Sequence, residues 1–134
     1  MSLAVLKSRA QFGADAPPVS IEVFLGGGLP TFAIVGMPEK AVRESKDRVR
    51  GAILSSNFDF PLSRIIVSLA PADMPKAGGR YDLAIALGIL AASGQIRAEP
   101  LADTEIYGEL ALDGAIRGVP GVLPAALRAA SAGH

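Results

Sequence analysis

The sequence contains no cysteine. Disulfides, thiolate catalysis and cysteine-based zinc sites are thereby excluded. Tryptophan is absent too, and aromatic residues make up only 5% of the chain, so a core must come from Ala, Val, Ile and Leu. The single histidine is His134, the final residue, and a Ser-His-Asp triad is not expected to operate from a frayed end. Net charge of either sign is missing: 13 cations balance 13 anions. No global field draws nucleic acid to the chain, so any such contact must come from a local patch. The longest uncharged apolar run, Leu83 to Gly94, is about 12 residues, against the roughly 20 that a spanning helix needs. Lys7 and Arg9 interrupt the first apolar stretch, which argues against a secretory signal. A soluble cytoplasmic protein is expected.

What is present is a chain of 134 residues, half of them hydrophobic. That is enough for one domain with a real core and too little for two, so a single domain over 1–134 is expected. Residues Leu3 to Phe12 suggest a strand. Val19 to Phe24 alternates apolar and polar, as a half-buried strand does. Thr31 to Val35 reads as a third strand, and the opening as an antiparallel meander. Pro38 suits a helix start, and Val42, Ser45, Val49, Ala52 and Ile53 share one face of a helix predicted over Glu39 to Ser55. Glu39–Arg43 and Glu44–Arg48 are i,i+4 pairs expected on its exposed side. Ile65 to Leu69 is a central-looking strand. A helix follows over Asp82 to Ala92, its acid at the positive end of the dipole. Ile106 to Leu110 is predicted as a short strand, with Asp113-Gly114 as a turn from which Ile116 pairs back. Leu123 to Ala130 begins a last helix.

The stretch Leu69 to Leu83 carries the most chemistry. A strand runs into a Pro- and Gly-rich loop with two cations, which opens into an apolar helix. Lys76, Gly78, Gly79 and Arg80 could form an anion site, from glycine N–H groups, a helix dipole and two positive side chains. The same residues also describe a glycine-permitted turn with solvated cations. Arg80 could equally pair with Asp73 or Asp82. The loop is no P-loop, since G-x-x-x-x-G-K-[ST] occurs nowhere in the chain. Arg43, Lys46 and Arg50 fall within roughly 60° on a helical wheel. They form either a phosphate-tracking stripe or an ordinary solvated face diluted by Glu39 and Asp47. Glu105, Glu109 and Asp113 could do acid–base work, but their alternation with apolar residues favours solvated edges. No cluster has metal-ligand spacing.

The chain resembles the ComM/YifB family of Mg-chelatase-like AAA+ ATPases. The likeness runs through Ala16-Pro17-Pro18, Gly28-Leu29-Pro30, Val35-Gly36-Met37-Pro38-Glu39 and Arg48-Val49-Arg50. It continues through Leu69-Ala70-Pro71-Ala72-Asp73, Pro75 to Leu83, Gly108 to Leu112 and Arg117-Gly118-Val119-Pro120-Gly121. The resemblance implies an α+β fold, the Lon-peptidase-like form of the ribosomal protein S5 domain 2-like fold. This is a two-layer arrangement of helices on a mixed sheet, expected here to lack its last strand and helix. It also implies the N-terminal module of a hexameric motor that acts on DNA in recombination and natural transformation. ATP and Mg would belong to a motor domain outside this chain, and no cofactor is expected within it.

Lon peptidases carry a nucleophile loop P-K-D-G-P-S-A-G. Aligned from Pro75, the serine position falls on Arg80. The region that would hold the dyad lysine, Pro120 to Ala126, has none. No peptidase activity is expected, although Ser68 and Ser93 are nucleophiles near the loop in sequence. The expected role is a non-catalytic module that aids hexamer assembly and guides DNA. Lys76, Gly78, Gly79, Arg80, Arg43, Lys46 and Arg50 are its candidate anion-binding residues. The alternatives are a pure protein-interaction scaffold and a Lon-like serine peptidase.

Overall fold

The structure is a computed structural model, and it describes residues 2–72, 74, 76 and 78–134. Strand β1 (Ser2–Arg9) is followed by β2 (Pro18–Gly26), β3 (Thr31–Val35), helix α1 (Glu39–Ser55), β4 (Arg64–Ala70) and helix α2 (Asp82–Ala92). A single 3-10 turn (Glu99–Leu101), a two-stranded hairpin of β5 (Glu109–Leu110) and β6 (Ile116–Arg117), and helix α3 (Val122–Ser131) complete the described elements. No described helix is long and apolar enough to cross a membrane.

The main sheet has the order β1-β2-β4-β3. Strands β1 and β2 are antiparallel, as are β2 and β4, whereas β3 and β4 are parallel. The expected meander is therefore corrected after its first hairpin: β3 does not pair with β2. Helix α1 is the reason. Parallel neighbours need a crossover connection, and β3-α1-β4 is one, so β4 is laid between β2 and β3. The apolar run Ile65-Ile66-Val67 suits that interior position.

One sheet face is the core. Leu6, Ile21, Val23, Ile65, Val67 and Leu69 point into it and are essentially inaccessible to solvent. Helix α2 lies across β1 and β2, and α1 packs on α2 and β3. The core face of α1 is the one its periodicity predicts, with Ser45, Val49, Ala52 and Ile53 buried. Helix α2 is buried around most of its circumference, Asp82 included. The opposite sheet face is open. On it Leu3 faces Phe24, Phe24 faces Ile66 and Ile66 faces Ala33, while Val5 and Val35 are exposed near by.

The segment 106–110 is expected as a strand but yields only Glu109–Leu110 to the hairpin. Its backbone is engaged elsewhere. Ile106 N–H donates to Lys7 O at 2.9 Å, Gly108 N–H to Arg80 O at 3.1 Å, and Gly108 O accepts from Leu83 N–H at 3.1 Å. The turn forms as expected, with Leu110 opposite Ile116 and the Asp113 carboxylate accepting from Ala115 N–H at 2.9 Å.

The β3-to-α1 connection turns at Gly36, where φ is +103° and a Cβ would collide with the Leu69 carbonyl oxygen. That obstacle is backbone of the central strand and cannot rotate away. Gly36→Ala is expected to lower unfolding free energy by about 2–4 kcal/mol, from the φ penalty and the clash together. Urea denaturation of the two proteins checks this, with the midpoint moving and the slope unchanged.

Candidate functional site

The cationic loop is turned inward. Lys76 is 2% exposed, and its Nζ donates to Pro71 O and, at 2.8 Å, to Met74 O. Arg80 is 5% exposed; its Nε donates to Arg9 O at 2.9 Å and its Nη1 to Pro120 O at 2.8 Å. Lys76 braces its own loop and Arg80 ties that loop to segments far away in sequence, and neither presents its charged group to bulk water. Gly78 is exposed, whereas Gly79 is buried where the Glu109 carboxylate occupies the space of a Cβ. Gly78, Gly79 and Arg80 line a cavity of about 480 Å³. A pairing of Arg80 with Asp73 lies outside the described residues. A pairing with Asp82 does not form, because Asp82 is engaged by other groups.

Asp82 joins three elements. Its Oδ1 accepts from Ser45 Oγ at 2.7 Å and from Arg48 Nη2 at 3.3 Å. Its Oδ2 accepts from Arg48 Nε at 2.6 Å and from the Leu110 N–H at 3.2 Å. The expected pair Glu44–Arg48 forms at 3.8 Å, but its arginine is not on the exposed side: Arg48 folds inward onto Asp82. The hydrogen bond to Asp82 raises the Arg48 pKa against the opposing effect of burial. Glu39–Arg43 does form on the exposed side, at 3.3 Å.

Glu105 overturns the expectation of a solvated edge, since its side chain is 4% exposed. Arg9 clamps it with Nε on Oε1 at 2.7 Å and Nη2 on Oε2 at 3.0 Å. Tyr107 Oη donates to Oε1 at 2.5 Å, and His134 Nδ1 lies 2.6 Å from Oε2. Arg9 also reaches Ala16 O at 3.0 Å and Arg128 O at 3.4 Å, so the cluster pins β1 to the following loop and to α3. Burial pushes the Glu105 pKa up, but hydrogen bonds from Arg9, His134 and Tyr107 outweigh it and hold the group at about 2. Such a carboxylate is fixed in its charged form near neutrality and is unsuited to acid–base work.

Arg43, Lys46 and Arg50 do share one face of α1, and with Phe32 and Asp47 they line a shallow hollow. Arg50 lies 4.9 Å from the Phe60 ring centroid and 6.0 Å from that of Phe32, and Lys46 Nζ lies 5.9 Å from the latter. The two rings pack at 5.4 Å. Cation–π contact steadies these stems while leaving the charged heads at the surface.

These observations describe a mixed α/β domain whose buried charges organise loops around a cavity, with one cationic helix face outside. Residues 21–134 match the family described as subunit ChlI of Mg-chelatase, and the chain belongs to that family. It is 53% identical over its whole length to the uncharacterized protein YifB of Salmonella typhimurium, covering 26% of that protein. It is 50% identical to YifB of Escherichia coli over the same span. To competence protein ComM of Haemophilus influenzae it is 57% identical over 129 residues, which are 96% of this chain and 25% of that protein. The chain thus spans about a quarter of the length of these curated relatives and corresponds to their N-terminal part.

The Glu105 cluster gives stability a defined acid limb. The folded-state pKa of about 2 lies below the ordinary 4.5, so the contribution is complete above pH 4.5 and fades as pH falls toward 2. Its size is at most about 3 kcal/mol. Glu105→Gln is expected to lose about 2–3 kcal/mol at pH 7 and to flatten the stability profile between pH 4.5 and 2. Denaturant unfolding across that range, compared with the parent chain, is the measurement.

Proposed function

We propose that this domain is the non-catalytic N-terminal module of a Mg-chelatase-like AAA+ ATPase that acts on DNA, where it aids hexamer assembly and guides the nucleic acid. Its fold is the Lon-peptidase-like form of the ribosomal protein S5 domain 2-like class. Identity above one half with competence protein ComM across nearly the whole chain supports the reading. ATP and Mg belong to the motor part of such a protein.

The observation that carries the DNA contact is the Arg43, Lys46 and Arg50 face of α1. Lys46 and Arg50 carry their charges to the surface over Phe32 and Phe60, and Arg43 does so beside its exposed partner Glu39, whereas Lys76 and Arg80 act by holding the loop around Gly78 and Gly79. Two features support the non-catalytic assignment. Arg80 stands where the resemblance puts a nucleophilic serine, and its guanidinium grips the Pro120 carbonyl at 2.8 Å. The segment from Pro120 to Ala126, where the partner lysine is expected, has no lysine.

A second reading, a protein-interaction scaffold, is favoured by the open sheet face, where Leu3 is 60% and Val35 56% exposed. Such a row of apolar side chains is characteristic of surfaces that meet other proteins.

Fluorescence anisotropy with labelled single- and double-stranded DNA separates the two. Three phosphate contacts are expected to reduce affinity roughly 40-fold between about 50 mM and about 200 mM salt, since the log–log slope is about −0.9 per contact. Arg43→Ala, Lys46→Ala and Arg50→Ala together are expected to abolish that slope while costing only the cation–π and Glu39 contacts, about 1–2 kcal/mol of stability. Flat traces at low salt, accompanied by self-association in light scattering, would instead favour the scaffold.

A further inference from the structure

Among the described residues, the large apolar side chains most open to solvent are Leu62 and Leu29, at 88% and 84%. They are far apart in sequence but belong to one end of the main sheet. Thr31 lies opposite Arg64 where β3 and β4 begin, and the Thr31 N–H donates to Ser63 O at 3.3 Å. Leu29 stands two residues before Thr31 and Leu62 one before Ser63, so their loops are neighbours. Pro30 follows one leucine and Pro61 precedes the other, and the fixed φ of each proline stiffens its loop. Single exposed apolar residues are ordinary, but two on adjoining stiff loops form a point of contact.

This tip adjoins the cationic face of α1. Arg50 lies 4.9 Å from the ring of Phe60, which stands two residues before Leu62, and Phe60 packs on Phe32 beneath Lys46. Arg43 to Arg50 is seven residues of helix, roughly 10 Å of rise. The stripe therefore runs along α1 and ends, at Arg50, beside the loop that carries Leu62. A line of cations leading to paired apolar points fits a partner with charge along its outside and flat apolar surfaces within. Resting on the DNA reading of this face, we infer that Leu29 and Leu62 form a wedge that enters between bases at a disturbed or branched step, while Arg43, Lys46 and Arg50 hold the adjoining phosphates. Apolar side chains, leucine among them, part base steps in this way. An anionic membrane also joins phosphate to apolar matter, but it favours cations ringing the apolar points, whereas these three run away from them along one helix.

The test uses this chain with DNA duplexes carrying 2-aminopurine, which brightens on unstacking, beside either a matched or a mismatched central pair. At about 50 mM salt a severalfold rise in fluorescence is expected on binding, and about tenfold tighter binding of the mismatched duplex, whose stacking is already weakened. Leu29→Ala with Leu62→Ala touches only exposed side chains. It is expected to abolish the fluorescence rise and the mismatch preference while keeping the salt slope of binding. Leu123→Ala, at a residue 70% exposed on α3, is expected to change neither. Salt-dependent binding without a fluorescence rise, or a rise that survives the double substitution, overturns the wedge and leaves the phosphate-contacting face standing. Absence of salt-dependent binding to every duplex overturns both. Sedimentation with phosphatidylglycerol vesicles is expected to leave the chain in the supernatant, and leucine-dependent pelleting would assign the tip to lipid and overturn the inference.

Discussion

Everything near the site depends on the Asp82 carboxylate in the interior. A buried carboxylate is tolerable only when its lone pairs are filled and its charge is matched. Here Ser45 and Arg48 of α1 and the Leu110 N–H of β5 converge on it. Because Asp82 is the first residue of α2, this one group fixes where α2 begins, how α1 lies against it and where the hairpin docks. The loop before α2 is then held at both ends, by β4 on one side and Asp82 on the other. Breaking such a pair from one side leaves the other charge stranded, so the arrangement specifies geometry more than it adds stability.

The same logic recurs at Arg9 with Glu105, and at Lys76 and Arg80 with backbone carbonyls. A chain with few aromatic residues builds its irregular half from buried polar struts, whereas the sheet and α2 are held by aliphatic burial. Charge is thereby divided between two roles. The inward cations shape loops and a cavity, and the outward cations of α1 remain available to a partner. Under the proposed DNA-guiding role, this division makes the α1 face, and not the glycine loop, the candidate surface for phosphate contact.

Much of the fold is legible in the sequence because it rests on local signals. The bounds of α1 and α2 follow from periodicity, Pro38 and the glycine at 94, and the Asp113-Gly114 turn forces the hairpin register. Sheet order was not legible in the same way. Alternation marks each strand, but only the crossover through α1 dictates that β4 comes between β2 and β3. The site was the least legible part. Lys76, Arg80 and Arg48 look alike to a reading that treats charge as solvated, since their partners are carbonyls or acids 2 to 71 residues away. Glu105 alternates with apolar neighbours as a surface residue does, and only the parallel bridge to Lys7 turns it toward Arg9. A lone acid at the head of an otherwise apolar helix, Asp82, was the one sequence signal of a buried pair.

The most direct test of this account is native-state hydrogen exchange on Asp82→Ala. Loss of the shared carboxylate is expected to cost about 3–5 kcal/mol and to raise exchange together in α1, the start of α2 and the Leu110 amide, while the β1–β2 ladder is affected only through global stability. A loss below about 1 kcal/mol, with protection at Leu110 and in α1 unchanged, would contradict the claim that this carboxylate organises the site.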